Sequence, residues 1–243
     1  MASRPAGPDR IRVLTYNVRD LKDDVDALVR VISAVAPDVA CLQEVPRRLF
    51  GGHRVGALAD ACRMLWSGGA QPTGGTAVLT SLRIDQRTSG AGRLPVRGLL
   101  TRRRGWAAAV VGVPGGPSVT VASVHLSLLP DERRAHARAV VSALRAFGPA
   151  PYVVAGDLNE PPEGAAWGEL GQLVGDSAPL GAPTFPARAP RQRIDAVLVS
   201  AGIEVEAVRV PGPDDDVDPV DLALATDHLP VVADLRIGRA SPG

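Results

Sequence analysis

The strongest constraint on the fold is where the polar residues stand relative to the short apolar runs. Asn17 follows the run Ile11–Tyr16, and Glu44 follows Val39–Leu42. His125 lies late in Val119–Leu126, and Asp157 and Asn159 follow Tyr152–Ala155. Asp195 stands near the start of Ile194–Val199, and Asp227 and His228 at the start of His228–Leu235. Runs of this length, bounded by turn-forming residues, read as buried strands. Four of the polar sites are at C-terminal ends and two at N-terminal ends. One rim can collect all of them only if the last two strands run opposite to the others. The chain therefore requires mixed or antiparallel sheets.

The remaining pattern agrees. Pro114-Gly115-Gly116-Pro117 separates the strand-like Trp106–Val113 from Val119–Leu126 and predicts a hairpin. Ala77–Leu82 and Val205–Val210 are further expected strands. Leu21, Val25, Leu28, Val29 and Ile32 recur with helical spacing, which predicts a helix over 21–36 stopped by Pro37. A second helix is predicted over Asp131–Phe147, with Pro130 at its start. Shorter helices are expected near Ala57–Cys62 and Gly164–Leu173. The rest of 51–75 and of 160–192 reads as loop, and Pro211–Pro219 as an acidic loop. Strands outnumber helices and no Gly-rich loop follows the first strand, which disfavours a doubly wound nucleotide-binding fold. A chain of 243 residues, 45% apolar, can bury a core as one domain. That domain is expected over 10–237, with 1–9 and 238–243 as tails.

The residue types at the strand ends suit a particular chemistry. Glu44, with Asp157 or Asp227, offers hard oxygens of the kind that bind Mg²⁺ or Mn²⁺. No cysteine stands among them, which argues against structural zinc. Asp157 and Asn159 are two apart and would share a face in an extended segment. A carboxylate beside an amide can deprotonate a water and hold it, or a phosphate, in line. His228 beside Asp227, with Asp195 available, makes a carboxylate–imidazole pair that favours an imidazolium facing a phosphate. Each piece also has a bland reading: a solvated strand end at Glu44, turns at Asn17 and at 156–159, a cap at Asp227-His228, a core histidine at His125. His136 and His53 read as exposed helix and loop residues, and Cys62 and Asp214–Asp216 as without function.

Charge and cysteine usage narrow the partners. The formal net charge is +1, so any anion-binding surface must be local. The dense basic clusters are Arg102–Arg104, Arg133 with Arg134, and Arg188, Arg191 and Arg193. Two cysteines, Cys41 and Cys62, do not make a disulfide framework. The opening MASRPAGPDR carries charge without a following apolar stretch, so no signal peptide is expected. No apolar run reaches the length of a bilayer span, and a cytoplasmic monomer is the expected form.

Order and company decide between the functional and the bland readings. YNVR (Tyr16–Arg19), PDVACLQEV (Pro37–Val45), SVHLS (Ser123–Ser127), AGDLNEPP (Ala155–Pro162), RIDAVLVS (Arg193–Ser200) and TDHLPVVADL (Thr226–Leu235) together resemble the endonuclease/exonuclease/phosphatase superfamily. GGTAVLTS (Gly74–Ser81) resembles the strand after its second motif. The resemblance implies an α/β fold, a four-layer α/β sandwich of two mixed β-sheets packed face to face with helices outside. It implies a phosphoester hydrolase dependent on Mg²⁺ or Mn²⁺. Glu44 would bind the metal, Asn17 would help at the metal or phosphate, and Asp227 would complete the metal or water site. Asp157 would act on the attacking water and Asn159 would orient it or the phosphate. His228, oriented by Asp195, would contact the phosphate. His125 would stabilise the transition state or protonate the leaving group.

Arg19 matches deoxyribonuclease-like members better than abasic-site endonucleases, and no residue matches the tyrosine of the abasic enzymes. The leading expectation is a phosphodiesterase, nucleases included. A phosphomonoesterase or a lipid head-group phosphodiesterase is the alternative. A non-catalytic binding module is the rival from another class, disfavoured because every catalytic position is filled. Arg19, Arg102, Arg103 and Arg104 are expected substrate contacts, the triplet because the hairpin brings it beside His125.

Overall fold

The first sheet explains itself by alternation. In β1 (Arg10–Asn17), Ile11 and Val13 point one way and Leu14 and Tyr16 the other, and both sets are buried. A strand buried on both faces must lie inside a layered structure. The computed structural model describes residues 6–47, 50–67, 74–96 and 102–238. The expected tails at 1–5 and 239–243, and part of the loop expected within 51–75, lie outside these residues.

The described strands form two six-stranded sheets. One holds β1, β2 (Val39–Gln43), β3 (Met64–Trp66), β4 (Thr76–Ser81), β11 (Ile203–Arg209) and β12 (Val231–Ile237), in the order β11-β12-β1-β2-β4-β3. The other holds β5 (Asp85–Arg93), β6 (Gly105–Gly112), β7 (Ser118–His125), β8 (Tyr152–Asp157), β9 (Gly175–Asp176) and β10 (Asp195–Val199), in the order β5-β6-β7-β8-β10-β9. Both are mixed. β1 runs parallel to β2 and β7 parallel to β8, while β12 is antiparallel to β1 and β10 antiparallel to β8. The reversal of the last strands that the rim argument required is present in both sheets.

Three apolar layers make the four-layer α/β sandwich. Ile11, Val13, Val39, Cys41, Val121, Val153, Val197 and Leu235 pack between the sheets. Leu14, Tyr16, Leu42 and Leu79 pack outward against α1 (Val25–Val35), α2 (Gly51–Ala61) and α5 (Pro219–Ala225). Ala122, Val124, Val154 and Leu198 pack against α3 (Pro130–Phe147) and α4 (Ala165–Leu170). Each buried Val, Leu or Ile among them contributes about 1.5–3 kcal/mol by leaving water.

Several expected elements shift for local reasons. The helix predicted from 21 begins at Val25, where the Asp24 carboxylate caps it by accepting from Ala27 N at 2.9 Å. Residues 19–21 instead take left-handed backbone (φ 44°, 62° and 52°) in a 3₁₀ turn. The strand expected from His228 starts at Val231, which leaves Asp227 and His228 on the loop before it. The acidic stretch conceals α5, capped by Asp218 with Pro219 in its first turn. Asp215 in that stretch is buried and ion-paired with Arg209 at 2.6 Å. β5 lacks alternation because it is a largely exposed edge strand. His136 is a correction: it is fully buried, with its ring 2.7 Å from the Pro95 carbonyl, because its helical face meets the second sheet. The N-terminal tail is anchored at Asp9, whose carbonyl accepts from Ile237 N, and further back at Gly7, whose carbonyl accepts from the Arg83 guanidinium.

Candidate active site

Polar residues take over from apolar ones where the inter-sheet layer reaches one end of the sandwich. Ile11, Val13, Thr15 and Asn17 share one face of β1, and Val121, Ser123 and His125 share one face of β7. Val153, Ala155 and Asp157 do so on β8, and Val197 and Asp195 on β10. Register then sets them in a row: His125 pairs with Asp157, and Asp157 with Asp195, across three adjacent strands. Beneath the rim, Gln43 Nε2 donates to Ser123 Oγ at 3.0 Å and to Thr15 Oγ1 at 3.1 Å, tying the two sheets together.

Asp157 is the hub. Its Oδ2 accepts from Asn17 Nδ2 at 2.9 Å across the sheets, and lies 3.2 Å from His125 Nε2 and 3.9 Å from His228 Nε2. Its Oδ1 accepts from Asn159 N at 3.0 Å. Asn159 comes alongside through a turn with φ 54°, not through an extended segment, and its Nδ2 donates to the Leu126 carbonyl. Burial alone would raise the Asp157 carboxyl, but His125, His228 and Asn17 outweigh it and hold it well below the usual carboxylate range.

His228 is aimed by its other ring nitrogen. Nδ1 is 2.9 Å from Asp195 Oδ2, which also accepts from Thr184 Oγ1 at 2.7 Å. Phe185 lies against the ring, centroids 4.8 Å apart. The loop is pinned by Ala187 N to the Asp227 carbonyl and Leu229 N to the Thr184 carbonyl, both 2.8 Å. Burial works against the imidazolium, yet Asp195, Asp157 and Asp227 together push His228 up to about 10. Asp195 moves upward, chiefly through burial, with neighbouring Asp157 adding to it.

Glu44 stands at the open side of the rim. Its backbone is left-handed (φ 52°), held by Asp20 N to its carbonyl. Its Oε1 lies 3.5 Å from Arg104, 3.7 Å from Arg102 and 3.9 Å from His125 Nε2. Arg19 bridges Asp23 at 3.2 Å and Asp227 at 3.3 Å. The arginine triplet divides: Arg102 is exposed beside Glu44, Arg103 offers its carbonyl to Arg47, and Arg104 is buried with its guanidinium 2.9 Å from His125 Nδ1. Of the other basic clusters, Arg133 is bound to Glu160, Arg134 to Glu169 and Arg193 to Asp176.

Two places could be considered for a divalent cation. Ligand-type atoms of Asp157, Asp195 and His228 lie within 4.8 Å of one another. There, however, Asp195 and His228 already hold each other, and both Asp157 oxygens accept hydrogen bonds. Glu44 differs. Its contacts are long, its side chain is 20% exposed, and it is a hard carboxylate whose charge is felt by Arg19, the residue that donates its backbone N–H to Asn17 Oδ1 and pairs with Asp227. That donor chemistry fits an Mg²⁺ or Mn²⁺ that keeps most of its waters. Thr184, Gln43, Ser123 and Phe185 were not singled out in the sequence. Thr184 and Phe185 sit in a Pro-rich stretch without periodicity, and Gln43 and Ser123 hide inside the motifs beside louder neighbours.

The sequence profile of the endonuclease/exonuclease/phosphatase family matches residues 14–228. The solved structure of an endonuclease/exonuclease/phosphatase from Bacteroides vulgatus superposes with a TM-score of 0.76 at 18% identity, covering 94% of this chain and 99% of that one. A mannosyl-6-phosphatase of Bacteroides thetaiotaomicron superposes at 0.72, with 18% identity, over 93% of this chain and 99% of that one. D. rerio TDP2 complexed with single strand DNA product does so at 0.73, with 18% identity and coverages of 93% and 99%. At these identities the likeness is one of fold. No curated protein matches the sequence. Among the described residues, no helix is long and apolar enough to cross a membrane.

Proposed function

Because the chain belongs to the endonuclease/exonuclease/phosphatase family, whose members are hydrolytic phosphoesterases, we propose that it is a phosphodiesterase using one Mg²⁺ or Mn²⁺. The observation that carries this reading is the convergence of Asn17, His125 and His228 on Asp157 Oδ2 at 2.9, 3.2 and 3.9 Å. A carboxylate so surrounded is ionised at working pH and faces two imidazoles suited to phosphoryl oxygens.

In the proposed reaction a water lies against Asp157, oriented by Asn159. The water's oxygen bonds to phosphorus, its proton passes to the Asp157 carboxylate, the ester P–O bond breaks, and the leaving oxygen takes a proton from solvent water while Asp157 returns its own to solvent. Asp157 is a weak base here, so the proton moves as attack acidifies the water. His228, cationic and held by Asp195, neutralises charge growing on the phosphoryl oxygens. Glu44, with Asn17 and Asp227, would hold the cation, which supplies Lewis-acid stabilisation of the same charge. Arg19 and Arg102 flank that position and would receive further phosphates of a longer substrate. The domain that does this is proposed to span 10–237.

A second reading, a phosphomonoesterase, is favoured by the arginines around Glu44, since extra cations suit a dianion. One experiment separates the two. Purified protein with Mg²⁺, Mn²⁺ or EDTA is offered bis-p-nitrophenyl phosphate, p-nitrophenyl phosphate, plasmid DNA, RNA, sphingomyelin and inositol phosphates. The proposal expects metal-dependent turnover with the diesters ahead of p-nitrophenyl phosphate. Preference for the monoester overturns it in favour of the second reading.

A further inference from the structure

His125 and His228 flank the same carboxylate, yet their far sides differ in kind. His228 Nδ1 faces a carboxylate, whereas His125 Nδ1 faces the Arg104 guanidinium at 2.9 Å. A guanidinium is donor-only and keeps its charge in proteins, so the nitrogen it meets must accept. If Nδ1 carried a hydrogen, in the neutral Nδ1–H tautomer or in the imidazolium, two N–H groups would confront each other at 2.9 Å. In the Nδ1–H tautomer the bare Nε2 would also face Asp157 Oδ2 at 3.2 Å, lone pair against lone pair. Two of the three states of this ring are therefore disfavoured by contact alone.

We propose that Arg104 is a positioning residue that locks His125 as the neutral Nε2–H tautomer, so that His125 serves the phosphate as a hydrogen-bond donor and not as a proton donor. The arginine is built for this. Gly105, next to it in the chain, pairs with His125 across β6 and β7. The Arg104 carbonyl accepts from Leu94 N at 2.9 Å on one side. On the other side Gly74 presses so close that a Cβ there would stand 2.3 Å from the Arg104 carbonyl carbon. Gly74 has φ +66°, which glycine adopts without strain. The Arg104 side chain is 6% exposed and lies against the ring. Its charge is met by Glu44 and Asp157, and Arg102 and His136 are the other titratable groups that act on it or feel it.

The lock decides between the two roles open to His125. A neutral imidazole N–H is far too weak an acid to protonate a leaving oxygen, but it is a good donor to an oxygen gaining negative charge. With its hydrogen on Nε2 the ring points that N–H toward Asp157 Oδ2, 3.2 Å away, at the position where a phosphate oxygen would share it. The functional consequence rests on the phosphoesterase reading, whereas the tautomer itself does not.

The test is nitrogen NMR on the full chain labelled with ¹⁵N-histidine, which carries four histidines. His125→Gln identifies the His125 signals by difference. The expected pattern is an acceptor-type Nδ1 and a protonated Nε2, kept in Arg104→Lys and inverted in Arg104→Glu, whose carboxylate would accept from Nδ1–H. The kcat of Arg104→Met and Arg104→Glu is expected to fall tenfold or more with a smaller change in KM, and Arg104→Lys to recover part of it. A protonated Nδ1 in the wild-type chain overturns the proposal, even if every Arg104 variant misfolds. So does an unchanged pattern in folded Arg104→Glu. Loss of the pattern in Arg104→Met with full kcat overturns the positioning role. If no phosphoester is hydrolysed at all, it is the functional reading that fails, and the spectra still decide the tautomer.

Discussion

Gly156→Ala is the smallest enlargement that reaches the site directly. Gly156 lies on β8 opposite Val124 of β7, one residue before the paired His125 and Asp157. A Cβ at Gly156 would stand 2.0 Å from the Val124 carbonyl oxygen and 2.8 Å from Val124 Cγ2. Interiors packed to crystal density have no slack for such an overlap, so the strands must part by roughly 1 Å. Overpacking of this kind costs about 1–3 kcal/mol. For a chain of this size that lowers Tm by roughly 2–4 °C per kcal/mol, or about 2–12 °C in all. The same movement separates His125 Nε2 from Asp157 Oδ2, now 3.2 Å apart. A misplacement of about 1 Å costs about 10²-fold in rate. Circular dichroism melts give the stability, and initial rates on the ester turned over best give kcat, both well below Tm. A variant with wild-type Tm and wild-type kcat would refute the claim that the approach of β7 and β8 sets the site geometry.

Three further outcomes are expected. Asp195→Asn replaces the charged partner of His228 Nδ1 by a neutral amide, and kcat should drop by at least about 10²-fold while the melt changes little; equal turnover would sink the orienting role. Glu169 is held down to about 2 by hydrogen bonds from Arg138 and Arg134. Its folded pKa is depressed, so its stabilisation is present above the unfolded value near 4.3 and fades as pH falls toward 2. The urea midpoints of wild type and Glu169→Gln should therefore differ at pH 6 and converge on acidification; a constant gap contradicts the clamp between α3 and α4. Arg102→Glu should raise KM for a polyanion far more than for a small diester, and flatten the salt dependence of polyanion binding, since fewer counterions are released. Unchanged KM and slope would remove Arg102 from the substrate path.

The parts of the fold legible in the sequence are those where burial imposes a period. Ile11, Val13, Thr15 and Asn17 keep one face of β1, and the helix of α3 keeps its Pro130 start, because both elements bury a continuous face. The rim argument worked for the same reason: a strand's end residue keeps the direction of its apolar partners, so Asn17, His125, Asp157 and Asp195 meet. What escaped was set by tertiary contact. β5 is an exposed edge without an apolar stripe, and α5 hides its start in acidic residues that look like loop. The hairpin places Arg104 near His125 as one of three expected substrate contacts, but only the fold reveals that it is the buried one, with its guanidinium on the ring. His136 reads as an exposed helical residue because an isolated histidine carries no period of its own.

The central claim is that a divalent cation held at Glu44 drives phosphoester hydrolysis at this rim. The most direct measurement is calorimetric titration of Mg²⁺ and of Mn²⁺ into the wild-type chain and Glu44→Gln, with turnover followed in the same samples. The account predicts one binding event in the wild type, affinity at least about tenfold weaker in the variant, and turnover that rises with occupancy and vanishes in EDTA. Equal affinity in the two proteins, or hydrolysis that persists in EDTA, would contradict it.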